Sequence, residues 1–199
     1  MNDTKNCKYY RDLIEEALKN VDSRFYKINA AVSYHESQAV EKIVRERYFC
    51  YELYHQMRCL DDKIKYFHDD IIISPEIDKK GYKLIKNNRI PDIIIHEPGV
   101  MDNNILVAEV KGTLDISGIA KDINTLSIFL NDCYYKYAIF ILYNHSLEEL
   151  KEKLENIKDK EYYKSIKNKK CFDKIEVMCK KHDKSEKIES KYLNKLILP

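Results

Sequence analysis

Between residues 9 and 28, apolar positions recur three and four apart. Tyr10, Leu13, Ile14, Ala17, Leu18, Val21 and Phe25 form a single stripe, which predicts an amphipathic helix. A longer helical pattern covers residues 37–65 and opens on Ser37, a residue type suited to an N-cap. Its stripe runs through Val40, Ile43, Val44, Tyr48, Tyr51, Leu53 or Tyr54, Met57, Leu60 and Ile64. Over residues 48–54 apolar and aromatic side chains nearly encircle the helix, which predicts burial on more than one side.

The pattern then changes. Residues 66–77 predict a strand that ends near Pro75, with DKKGY as the turn that follows. Two runs dense in Ile and Val come next, RIPDIIIHEPG from residue 89 and ILVAEVKG up to residue 112. The polar turn MDNN separates them, so they predict a hairpin-like unit. Residues 116–131 predict a helix, although β-branched residues and Gly118 weaken its start. KYAIFILYN at 136–144 is the clearest central strand. Residues 146–158 predict a surface helix with Ser146 and Glu149 as a capping box. A short strand at 173–180 and a helix at 184–195 close the chain.

Helices interleaved with strands in the second half predict an α/β fold, a mixed sheet covered on both faces. No repeat or low-complexity segment interrupts this order. Residues 1–35 read as an N-terminal helical addition packed on the core.

Composition adds limits. The 199 residues suit one domain; 44% are apolar and 34% charged, the balance of a globular protein. Apolar runs stay well short of the roughly 18 residues that cross a bilayer, and no secretory start is visible. The expected setting is cytoplasmic, without membrane contact. Six scattered cysteines contain no CxxC pair, so free thiols are expected. Cys179 and His182 lack a second pair to complete a zinc site.

Net charge is only +2, but it is uneven. Residues 145–199 hold 15 lysines against 11 acids, a mild basic tail that either touches phosphates or merely solvates the surface. All six arginines precede residue 90, and Arg is the better phosphate fork, so specific phosphate contacts are expected in the first half.

The chemistry concentrates at the hairpin. Asp92 opens its first run, and Glu109 and Lys111 close the second. Glu109 and Lys111 are two apart, so on a strand both side chains leave one face. Acids at the ends of neighbouring strands can bind Mg²⁺ or Mn²⁺, hard ions that take oxygen ligands at about 2.1 Å. Such an ion polarises a phosphodiester and acidifies a bound water. Lys111 could orient that water, neutralise the transition state or act as base. A lysine beside two carboxylates keeps its proton, so electrostatic stabilisation is favoured. The competing reading is an ordinary charged strand end, since one ExK triplet is a weak signal.

Pro91 and Asp92, an apolar strand, a turn, and then Glu109, Val110 and Lys111 together resemble the PD-(D/E)xK nuclease superfamily. The resemblance covers roughly residues 36–144. It implies a restriction endonuclease-like core, a mixed four- to five-stranded sheet flanked by helices, with elements in α-β-β-β-α-β order. Residues 36–160 would form that core and 161–199 a basic strand-helix extension packed on it. By resemblance Asp92 and Glu109 bind the metal and Lys111 assists hydrolysis.

Members of the superfamily often add an acid from the first core helix. Glu52, Glu46 and Glu41 are the candidates, and Glu52 is preferred because YELYHQMR sets polar residues into an aromatic stretch. His55, Gln56 and Arg58 follow it, the last two as candidate substrate contacts. Glu76 is a further candidate ligand, or a turn acid pairing with Lys79 or Lys80. Lys121, beside Asp122, falls where the resemblance implies a contact to a substrate phosphate, and is otherwise solvated surface.

The expected function is metal-dependent hydrolysis of phosphodiester bonds in nucleic acid, DNA first. The alternative is a nucleic-acid-binding or assembly protein that does not cut. Little in the chain reads bases, which leaves room for a homodimer or a larger complex. The 16 tyrosines could stack on bases, but several lie on core-facing stripes.

Overall fold

Strict alternation along the strands divides the core into two layers, one on each face of a sheet. Ile94, Val107, Ala138, Phe140, Leu142 and Val177 point into one layer. Their neighbours Ile93, Ile95, Leu106, Ala108, Val110, Ile139, Ile141 and Met178 point into the other. The computed structural model describes residues 3–29, 42–64, 70–75, 90–155, 171–181 and 187–197.

In chain order the elements are α1 (Asp3–Asn20), β1 (Lys27–Asn29), β2 (Lys42–Val44), α2 (Glu46–Ile64), β3 (Ile72–Pro75), β4 (Ile93–His96) and β5 (Asn104–Lys111). Then follow α3 (Ile116–Asp132), β6 (Tyr137–Tyr143), α4 (Leu147–Glu155), β7 (Ile175–Lys180), β8 (Glu189–Tyr192) and α5 (Leu193–Ile197). Strands β3 to β8 form a six-stranded sheet in sequential order. The pairs β3–β4, β4–β5 and β7–β8 are antiparallel, while β5–β6 and β6–β7 are parallel. The chain is therefore α/β with a mixed sheet, wider than the four to five strands expected.

Helices α1 and α2 cover one face and α3, α4 and α5 the other. The α1 stripe from Tyr10 to Val21 is buried against Leu106 and Ala108, so this helix shares a core layer with the sheet. Its C-terminal carbonyls are capped by the buried Lys180, whose Nζ donates to Leu18 O at 2.7 Å and Lys19 O at 3.5 Å. The capping box at the start of α4 forms reciprocally, Ser146 N to Glu149 Oε2 and Glu149 N to Ser146 Oγ.

Several expected boundaries move. The first helix ends at Asn20, a 3₁₀ turn follows, and Phe25 is exposed rather than part of the stripe. Ile43 and Val44 belong to β2, paired with β1, and α2 begins only at Glu46. Two β-branched residues in succession favour the extended backbone. Tyr48 and Tyr51 then face outward while Phe49, Leu53 and Met57 fill the core.

Near the C-terminus, β8 lies along β7 where a helix was expected, and the helix starts at Leu193. Among the described residues no helix is long and apolar enough to cross a membrane. All six cysteines carry free thiols. Glu41, Glu76, Lys79, Lys80 and His182 lie outside the described residues.

Candidate active site

Because β4 runs antiparallel to β5, the start of one strand meets the end of the other. Ile93 pairs with Ala108, and one more step sets Asp92 opposite Glu109. Asp92 Oδ2 accepts the backbone N–H of Val110 at 2.7 Å, which locks that register. Glu109 projects to the α3 side of the sheet and is only 6% exposed. Burial holds its carboxyl well above the usual carboxylate range. The charges of Asp92 and Asp122 and a hydrogen bond with Asp92 push the same way, and the Lys121 ammonium opposes them.

Lys111 leaves the same face one step along, with its side chain 18% exposed. Its Nζ lies 3.6 Å from Asp122 Oδ2 and 3.7 Å from Glu46 Oε2. Burial alone would lower the lysine pKa, but Asp122, Glu46 and Asp115 outweigh it and the group is raised. Lys111 is accordingly an ammonium at neutral pH. Asp122, on the buried face of α3, is pushed up to about 6 by burial, against the pull of Lys111 and with help from Asp92 and Glu46.

Gly118 makes room for this arrangement. A Cβ there would sit 2.8 Å from Lys111 Cε and 2.8 Å from Asp115 Oδ2. The glycine that weakens the helix start is thus the residue that lets Lys111 lie against it. Asp115 supplies the missing cap by accepting from Ser117 N and Gly118 N.

From the other face, Glu46 in the first turn of α2 accepts the Gly112 N–H at 3.3 Å. Phe49, one turn on, stacks on Tyr143 at 3.9 Å and 7°, with Tyr26 edge-on to both rings. Gly112 packs so closely on Tyr143 that a Cβ would clash with its Cζ and hydroxyl. This aromatic wedge holds the start of α2 beside the end of β5.

Glu46, rather than Glu52, is the α2 carboxylate in contact with β5. Glu52 accepts from Gln56 Nε2 at 2.7 Å and sits about 9 Å further along the helix axis, at 1.5 Å per residue. Arg58 is exposed and pairs with Asp62 at 3.7 Å; it and Gln56 lie about 15–18 Å along α2 from Glu46. His55 is exposed, its Nε2 3.6 Å from Cys59 Sγ. Lys121 is exposed close enough for its charge to reach Glu109 and Asp122.

The donor set suits a hard divalent cation. The buried Glu109 carboxyl hydrogen-bonds the half-buried Asp92 and Asp122 adds its field, a crowding of negative charge that a proton or a cation relieves. Asp92 and Glu109 are the residues that would hold such an ion. Among the described residues no three His, Cys, Asp or Glu side chains converge as a ready-made cage. Asp122 has its Oδ2 toward Lys111 instead.

No family model, curated protein or solved structure matches the chain.

Glu46 is among the sequence candidates, and the strand signal of Ile43 and Val44 is what places the helix start beside it. A cleft lined by Arg45, Glu46, Arg47, Tyr48 and Asp92 also opens at this edge. Its only sequence trace was the confinement of arginine to the first half.

Proposed function

We propose that this chain is a metal-dependent nuclease of the PD-(D/E)xK kind, hydrolysing phosphodiester bonds, with DNA the first substrate to try. The observation that carries the reading is the buried Glu109 carboxyl against Asp92, with the Lys111 ammonium one step along the same strand face. The order α2-β3-β4-β5-α3-β6 also agrees with the α-β-β-β-α-β order the resemblance implies.

Asp92 and Glu109 would hold Mg²⁺ or Mn²⁺, which when bound polarises the phosphodiester and acidifies a water. Lys111 stays protonated, so it stabilises the charge that develops on the phosphoryl oxygens and is not the base. Asp122 and Glu46 orient its ammonium from two sides.

A second reading keeps the same surface without cleavage. It is favoured by the absence of a third convergent carboxylate among the described residues, and by the engagement of Lys111 with two acids already. Cleavage of labelled single- and double-stranded DNA and RNA with Mg²⁺ or Mn²⁺, run beside D92A, E109A and K111A, separates the two. Metal-dependent cleavage lost in these variants supports the nuclease. Cleavage that survives D92A and E109A removes it, and binding without metal dependence favours the second reading.

A further inference from the structure

The cleft beside Asp92 has a volume of about 590 Å³ and, among the described residues, Arg45, Arg47 and Tyr48 line it. Both arginines are exposed, and they bracket Glu46, whose carboxylate reaches Lys111 and Gly112. Tyr48 is 49% exposed, and Tyr51, three residues on along the same helical face, is 51% exposed. Their neighbours Phe49, Leu53 and Met57 complete the core without them. Exposed rings beside guanidinium groups suit a chain of phosphates with accessible bases: Arg forks match phosphate oxygens, and every base has a face to stack.

A duplex hides its bases and asks for a broad basic face, whereas this chain carries a net charge of +2. We infer that the cleft between the β1–β2 ribbon and the start of α2 is the path of a single-stranded nucleic acid, phosphates on Arg45 and Arg47 and a base on Tyr48. It leads the strand to Asp92. The inference rests on the nuclease reading for its purpose, but the binding it asserts does not depend on cleavage. Asp92 and Glu46 stand in the wall of the cleft, so a strand held there runs past both carboxylates.

The test is fluorescence anisotropy with labelled single-stranded DNA, single-stranded RNA and duplex DNA of one length. EDTA is present, so nothing is cut. Wild type should bind one or both single strands more tightly than the duplex. R45A/R47A should weaken that binding about tenfold or more and flatten the dependence of log K on log salt by about 1.4, two phosphates at about 0.7 each. Y48A should weaken it about fivefold or more with the salt slope unchanged, as loss of one stacked base would. Melting curves of the variants confirm that they fold.

Tighter duplex binding, no detectable binding, or affinity unchanged in R45A/R47A overturns the strand path. Failure of the nuclease reading would appear elsewhere, as cleavage that is absent or that survives D92A and E109A, so the two failures are distinguishable.

Discussion

Asp92 and Val110 are joined by a hydrogen bond that makes one carboxylate both a structural tie and a candidate ligand. The Val110 N–H donates to Asp92 Oδ2 at 2.7 Å, and Val110 itself is buried. Removing the acceptor leaves a buried N–H unsatisfied, at a cost of about 1–3 kcal/mol. D92A should therefore melt lower than wild type, by about 2–4 °C per kcal/mol in a chain of this size. D92N keeps an acceptor oxygen of the same shape and should melt close to wild type. Both should lack cleavage. If D92N cleaves like wild type, Asp92 is a tie and nothing more.

Glu109 gives stability a pH dependence of known sign. Its folded pKa is raised, so the folded state holds a proton that the unfolded chain releases from about pH 4.5 upward. Stability contributed by that proton is present in acid and is lost as pH rises through the folded value. E109Q removes the titration. It should be the more stable protein at pH 7, and its advantage should vanish near pH 4. Thermal melts across pH 4–8 check this; an E109Q curve parallel to wild type would show that the carboxyl is not strained.

A divalent cation should relieve the same crowding. With Mg²⁺ or Mn²⁺ at 100 times its dissociation constant, binding to the folded state alone adds about 2.7 kcal/mol. The melting temperature of wild type should rise with Mn²⁺ concentration, and that of E109Q should not. Equal shifts in both proteins would place the ion elsewhere.

How far this was legible in the sequence follows from the range of each signal. Continuous apolar runs rich in Ile and Val mark β4, β5 and β6, and the short turn between the first two sets Asp92 near Glu109, because both signals are local. The segment that reads as helix from residue 37 departs from that reading over residues 42–45, while Ser37 and Val40 lie outside the described residues. Pairing of Ile43 with Ile28 is a long-range choice that periodicity does not carry. The exposure of Tyr48 and Tyr51 failed with it, since both were assigned to a stripe whose phase was set upstream. Lys121 and Asp122 are adjacent in the sequence, but only the packing of α3 decides that Asp122 faces Lys111 while Lys121 stays outside.

Lys111 and Asp122 can be separated by their different demands on charge. K111M removes the ammonium from between two acids and should lower kcat about 10²–10³-fold, the usual loss for one donor aimed at developing charge. D122N leaves the ammonium in place but takes away one of its two orienting partners, so its effect should be smaller. Asp122 titrates at about 6. The wild-type rate should therefore carry an inflection near pH 6 that D122N lacks. An inflection that persists in D122N belongs to another group, such as the metal-bound water.

Gly112 links the aromatic wedge to the carboxylates, which makes it a test of the whole corner. An added Cβ meets Cζ and the hydroxyl of Tyr143, whose ring is stacked on Phe49 and cannot retreat without disturbing α2. Overpacking of this kind costs about 1–3 kcal/mol. G112A should lower the melting temperature by about 2–4 °C per kcal/mol and move Glu46 away from Lys111, so cleavage should fall further than stability alone explains. Shortening the opposing ring tests the cause. In G112A/Y143L the methyl group has space, and the double variant should recover part of the loss that the two single variants predict by addition. Strict additivity of G112A and Y143L in melting temperature would mean that the glycine acts through its backbone and not through the room it leaves.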